Sequence, residues 1–148
     1  MEINNCANNS NKCNTNKDNT NNIMTECLTI AIAGSRTITD YNALLSAISS
    51  AVAANVIVPA YSYKIVSGGA EGVDTLARRY AQERQLPLTE LKPQYRTSYD
   101  LRAPLRRNLN IAQVADVLVA VWDGASTGTS HMITCMKELN KPYYIHYI

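Results

Sequence analysis

From Cys27 onward, short apolar runs alternate with segments in which apolar residues recur at helical spacing, the pattern of strands joined by crossover helices. Leu28 to Ala33 is almost continuously apolar, as expected for a strand covered on both faces, and it stops at Gly34-Ser35-Arg36. Thr39 or Asp40 is placed to cap a helix carrying Tyr41, Leu44, Leu45, Ile48 and Val52 on one face. A second strand, Lys64 to Ser67, runs into Gly68-Gly69-Ala70-Glu71-Gly72, after which Val73, Leu76, Ala77, Tyr80 and Ala81 mark a second helix. Leu86 to Leu91 reads as a third strand, residues 92–100 as a loop without period, and Leu101 to Ala115 as a third helix. Val117 to Trp122 is a fourth strand, Asp123 to Thr129 a Gly/Ser/Thr loop, and a fourth helix runs to Leu139. Asn140-Lys141-Pro142 then turns the chain into a last strand, Tyr143 to Ile148. The predicted class is α/β, with three layers built on a mainly parallel five-stranded sheet and one domain over residues 27–148.

Residues 1–23 break this pattern. Asn, Thr, Ser and Lys dominate there, with too little apolar surface to offset the entropy of ordering, so a disordered, inert tail is expected, and Met24 is a second candidate start. A net charge of +2 gives no whole-molecule field that marks a nucleic-acid binder, so anion binding has to come from local placement. Cys6, Cys13, Cys27 and Cys135 include no pair at zinc-site spacing, so neither a metal nor any other cofactor is expected. No leader-like start and no apolar run of bilayer-spanning length is present, which makes the cytoplasm the expected location, without membrane contact and with reduced cysteines.

Three polar, glycine-bearing loops each follow a strand and precede a helix: Gly34-Ser35-Arg36, Ser67 to Gly72, and Asp123 to Thr129. Right-handed crossovers bring such loops to one sheet edge. If the first strand is central, the first and last of them flank the crevice where the strand order reverses. Glycine lets backbone N–H groups approach an anion, and the helix that follows adds partial positive charge, so phosphate is the natural guest. Tight turns alone also favour glycine, but three such loops together favour a ligand site.

A dinucleotide fingerprint does not follow the first strand, and no Gly-Lys-Ser/Thr follows any of the glycines. Glu90 reads either as a ribose-binding acid or as a solvated strand residue, and Asp74 either as a ligand contact or as a complement to the helix dipole. Among the basic residues between 78 and 107, Arg106 and Arg107, with Asn108, are placed to reach the crevice, whereas Arg78 and Arg79 read as a solvated helix face. His131 follows the last loop closely enough to face a ligand. Ser67, Ser126 and Thr129 read as hydroxyl donors rather than nucleophiles, and no catalytic residue is assigned.

Four ordered segments resemble the SLOG superfamily of Rossmann-like domains, in its YspA- or YpsA-related branch: Ala33-Gly34-Ser35-Arg36; Ser67-Gly68-Gly69-Ala70-Glu71-Gly72-Val73-Asp74; Arg107-Asn108 with Ile111 and Ala115-Asp116; and Trp122-Asp123-Gly124 through Ser126, Gly128 and Thr129. The resemblance implies a Rossmann-like fold and a nucleotide-type ligand, with the second and last loops cradling phosphate and ribose. Its phosphoribohydrolase relatives (LOG) carry a glutamate three residues after the threonine of Gly-Thr-x-x-Glu, where this chain has Met132. Another relative, DNA-processing protein A, binds single-stranded DNA and has an Arg-Asn segment resembling Arg107-Asn108.

The leading expectation is a module that senses or processes a nucleotide-derived phosphate ligand, ADP-ribose-like, held by these loops. A LOG-type hydrolase and a DNA-binding module are the alternatives, and the expected partner is a small molecule rather than nucleic acid, with a homodimer as the oligomeric form. Gly69 and Gly128 are expected to be replaceable by Val without loss of the fold but with loss of ligand.

Overall fold

The computed structural model describes residues 24–148, so the tail expected at residues 1–23 lies outside the described residues. The chain runs β1 (Thr25–Gly34), α1 (Tyr41–Ala53), β2 (Ala60–Ser67), α2 (Val73–Glu83), β3 (Leu88–Glu90), α3 (Ala103–Val114), β4 (Val117–Trp122), α4 (Thr127–Glu138) and β5 (Tyr143–Tyr147). The five strands form one sheet of order β3-β2-β1-β4-β5, and every neighbouring pair is parallel, a stricter arrangement than the mainly parallel sheet expected.

Period-two alternation along the strands supplies both faces of the core. Leu28, Ile30, Ile32, Tyr63, Ile65, Val117, Val119 and Val121 point to the side of α1 and α2, where they meet Leu44, Ala47, Ala51, Val73, Leu76, Ala77 and Tyr80. Ala31, Val66, Leu118 and Ala120 point the other way, against Ile111 and Ala112 of α3 and Met132, Ile133, Cys135 and Met136 of α4. A strand buried on both faces has to read as a continuous apolar run, which is why β4 was legible to the residue.

The boundaries that moved have local causes. β1 begins three residues earlier than the apolar run because Thr25 and Cys27 pair with Ala60 and Ser62 of a β2 that is itself longer than expected. Exposed Tyr61 and polar Ser62 had masked that extension. β3 contracts to three residues: Leu86 is buried, but only Leu88–Glu90 pair with β2. In α1 the buried side is Leu44, Ala47 and Ala51, and Val52 faces outward at 40% exposure. Pro104 sits in the first turn of α3, where its missing N–H costs nothing, and fixes the start at Ala103. α4 starts at Thr127, so Gly128 and Thr129 belong to its first turn and not to the preceding loop.

Two side chains hold the connections near β4. The Asp116 carboxylate accepts from Thr29 N at 2.8 Å while its own amide donates to Thr29 O, extending the β1–β4 ladder by one rung. The Lys141 ammonium donates to the carbonyls of Ala112, Gln113 and Ala115, each at 2.8 Å, and so caps the carboxyl end of α3. No helix among the described residues is long and apolar enough to cross a membrane.

Candidate functional site

β1 is central, and the strand order reverses between it and β4. The loops after these two strands separate there and leave a crevice at the carboxyl edge of the sheet, as open parallel sheets do. The cavity has a volume of about 650 Å³, within the range of small-molecule sites. Gly34, Ser35, Arg36, Gly68, Asp74, Arg107, Asn108, Asp123, Ser126, Gly128 and Thr129 of the expected residues line it. Ser67, Gly69, Gly72 and Gly124 do not, and their positions show why.

Ser67 is fully buried under its loop, and its Oγ is 3.5 Å from the Gly69 amide. Gly72 has φ +72°, and a Cβ there would lie 2.4 Å from Arg36 O, so this glycine lets the second loop press against the backbone of the first. Gly69 has φ +68° and lines a neighbouring cavity; a Cβ there would come within 2.6 Å of the Glu90 carboxylate. Its replacement by Val therefore strains the backbone, and the expectation that the fold would tolerate it does not hold. Gly124 has open space around it but lies outside the crevice lining.

The walls are held by bonds that leave few side chains free to move. Ser35 donates its amide to Val121 O at 3.1 Å and accepts from Asp123 N on Oγ at 3.2 Å, so this buried serine ties the first loop to β4. Asp123 accepts from Ala125 N and Ser126 N at 2.9 and 2.8 Å, and those two amides, Ser126 first, hold its carboxyl below the usual range. Trp122 Nε1 donates to Ser126 O at 3.0 Å and pins the same turn. These contacts explain the Trp-Asp-Gly pattern as a scaffold for the loop.

Across the crevice, Arg107 and Asn108 link the second and last loops. Arg107 Nη1 donates to Gly68 O at 2.9 Å, and its Nε donates to Asn108 Oδ1 at 3.0 Å. Asn108 Nδ2 donates to Gly128 O at 3.2 Å and lies 3.2 Å from His131 Nδ1. Because the amide oxygen faces a guanidinium and the amide nitrogen faces a carbonyl, the Asn108 orientation is fixed, and His131 Nδ1 has to be an acceptor. His131 thus stands behind Asn108 and does not reach the crevice lining. Arg106 turns away to Asp100, and Arg78 pairs with Glu90 at 2.7 Å, outside the crevice lining.

Asp74 lies between the first two loops and Arg107. It is 8% exposed, accepts from Ala70 N at 3.1 Å, and its carboxyl is raised by burial against the opposing pull of the Ala70 amide and of Arg107 and Arg36. Half-buried Arg107 is lowered, again by burial first, with Asp74 opposing. Desolvation outweighs the mutual attraction on both sides, the combination found where charge is held ready for a ligand.

The apolar part of the lining, Pro104, Leu105, Ile111 and Met132, and the small residues Thr37, Ala70, Ala125 and Thr127 were not expected. Leu105 carried the one available signal, an apolar residue on the exposed flank of α3. Met132, three residues after Thr129, is 1% exposed.

Residues 28–97, from β1 to the loop after β3, match the family model described as "YspA, cpYpsA-related SLOG family". That stretch, just under half of the chain, is similar to this SLOG family. No curated protein matches the sequence. Among solved structures, the chain is similar to DNA processing protein A from Helicobacter pylori, a protein with a unique single-stranded DNA binding mode. The TM-score is 0.58 and the identity 21%, over 80% of this chain and 64% of that one. It is also similar to the X-ray structure of TM1055, with TM-score 0.54 and identity 18% over 78% and 72% of the two chains. At these identities the likeness is one of fold, and the chain spans less than two thirds of the DNA processing protein. The family match ends before α3, so Arg107, Asn108 and the whole last loop are assigned to the crevice by geometry alone.

Proposed function

We propose that this chain binds a nucleotide or nucleotide-derived phosphate ligand, of ADP-ribose type, in the switch-point crevice. The observation that carries the reading is the amino end of α4. Helix α1 has its first turn closed by Asp40, whose side chain accepts from Asn42 N, whereas α4 has no side-chain cap. The first-turn amides of α4, at Thr127, Gly128 and Thr129, have no intrahelical acceptors and border the cavity. Ser126 and Thr129 hydroxyls lie 3.3 Å apart beside them, and Arg107 stands across the gap. Backbone donors, helix dipole and guanidinium favour a phosphate at this end. The Asp74 carboxylate, an acceptor with no proton to give when ionised, suits a ribose hydroxyl.

Binding without cleavage is the form of this reading. A thioether stands where a hydrolase acid would, and Asp123 is engaged by its own turn. A second reading, a single-stranded DNA site, is favoured by the row Arg36, Arg107, Lys92 and Tyr95 along the crevice and its continuation. Calorimetric titration with nucleoside mono- and diphosphates, ADP-ribose and a short oligonucleotide, followed by chromatography of the recovered ligands, tests both. The expected result is a nucleotide or ADP-ribose recovered intact, with affinity reduced at least about tenfold in Gly128→Ala and unchanged in Arg84→Ala. Equal affinity in Gly128→Ala would remove α4 from the site.

A further inference from the structure

Two side chains on the loop after β3 have no place in the crevice just described. Lys92 and Tyr95 face a separate cavity, also of about 650 Å³, whose floor is the backbone of Gly68, Gly69 and Ala70. Arg36 and Arg107 border both cavities, so the two volumes meet at the same pair of guanidiniums. Arg107 uses Nε and Nη1 for the protein, and among the described residues no hydrogen bond engages Nη2.

The charges of the second cavity do not cancel. Arg78 is neutralised by Glu90, but among the described residues Arg36 and Lys92 make no ion pair. The Tyr95 ring is 61% exposed and stacks on no other ring there. An exposed tyrosine beside unpaired cations and bare glycine backbone is the equipment for a flat ring joined through phosphate. A cavity of this size takes a nucleotide-sized ligand, and the second offers as much room again.

We infer that the crevice is one half of a two-ring site: the ligand is a diphosphate-bridged dinucleotide, its diphosphate running from the amino end of α4 past Arg107 and Arg36, and its second ring on Tyr95, with Lys92 beside it. This rests on the nucleotide reading above and names the ligand class more narrowly. It also gives the left-handed Gly69 a purpose, since any side chain there would meet Glu90 and the Lys92 stem and close the floor of the second cavity.

Calorimetric titration of the full chain with adenosine monophosphate, diadenosine diphosphate and a thymidine tetranucleotide is the test, run on the parent, Lys92→Met and Tyr95→Ala. Both positions lie on the surface loop, and unchanged melting midpoints confirm folded variants. The expected result is diadenosine diphosphate binding at least about tenfold tighter than the monophosphate. Each variant should lose most of that gain while its monophosphate affinity stays as in the parent. Equal affinity for the two in the parent, or a gain that survives in both variants, overturns the two-ring site and leaves the single-nucleotide reading standing. A tetranucleotide that binds more tightly than diadenosine diphosphate overturns it in favour of a strand. Binding of none of the three overturns both readings together.

Discussion

The loops after β2 and β4 both sit at the amino end of a helix and both border the crevice, yet the glycines at the two places, Gly68 and Gly72 on one side and Gly128 in the first turn of α4 on the other, do opposite things. A Cβ on Gly68 would meet the Arg107 guanidinium at 2.5 Å and Asp74 at 3.0 Å, and one on Gly72 would meet backbone of the first loop. These glycines are filled in by the protein itself. A Cβ on Gly128 would meet nothing within 4 Å, although the residue lies in the first turn of a helix, where alanine would cost no space and glycine is the poorer helix former. Its carbonyl holds Asn108, but the side towards the cavity is left open. The β2 loop is therefore the rigid wall of the crevice and the β4 side its open face.

The strongest way to break this comparison is on the wall. Gly34 belongs with the filled-in glycines: its Cβ would lie 2.2 Å from Val121 O and 2.5 Å from Val73 Cγ2, with no flexible partner to yield. Gly34→Ala is expected to cost about 3 kcal/mol, the upper part of the usual range for overpacking, read as a lower midpoint in urea denaturation. A neutral result would show that the wall yields. Next comes the open face, where Gly128→Ala should leave stability unchanged or raise it by up to about 1 kcal/mol in the same assay, while weakening the ligand. Destabilisation there would mean that Gly128 is a packing glycine like the others.

The smallest effect concerns the loop that carries Tyr95. Asp100 accepts from Arg106 and from the amides of Arg96 and Arg102, and Arg106 first, then the Arg96 amide, pull its carboxyl down to about 2 from 3.8. A lowered acid holds its contacts above its ordinary value and loses them as pH falls through the lowered one. Amide exchange at Arg96 and Arg102 should therefore stay slow at pH 4 and quicken as the solution approaches pH 2. Quickening already at pH 4 would show that the Arg106 contact does not order the loop.

How much of this was legible follows from the same contrast. Period and apolar run marked all nine elements, because the middle of β1 and the length of β4 are covered on both faces and have to be apolar. The converging loops were readable from glycine and strand order. What a glycine is for was not, since packing against Arg107 or against empty space depends on a residue 39 positions away. Arg107 and Asn108 line the crevice that their spacing let them reach, whereas His131, close enough in sequence to face a ligand, stands behind Asn108; that geometry requires knowing that α3 and α4 lie side by side. Apolar Leu105 and Ile111 were missed for a related reason, since an apolar residue on a helix reads as core until the neighbouring layer is known to stop short of it.

The β1–β4 rung made by Asp116 has a consequence in time. The partners it joins are 87 residues apart in sequence, and the Ser35–Asp123 bond at the crevice joins partners 88 apart, whereas Ile30 of β1 pairs with Ile65 of β2, and Ile65 with Leu88 of β3, over much shorter separations. Closing so long a loop carries its entropy cost before any contact repays it, so pairing of this range forms late. On that order of events the N-terminal three strands assemble first, with the inner edge of β1 bare, and the crevice comes into being only when β4 docks. A chain emerging from the ribosome would hold the complete β2 loop for some time before it could hold a ligand, and ligand present at that moment would act on the last step of folding alone.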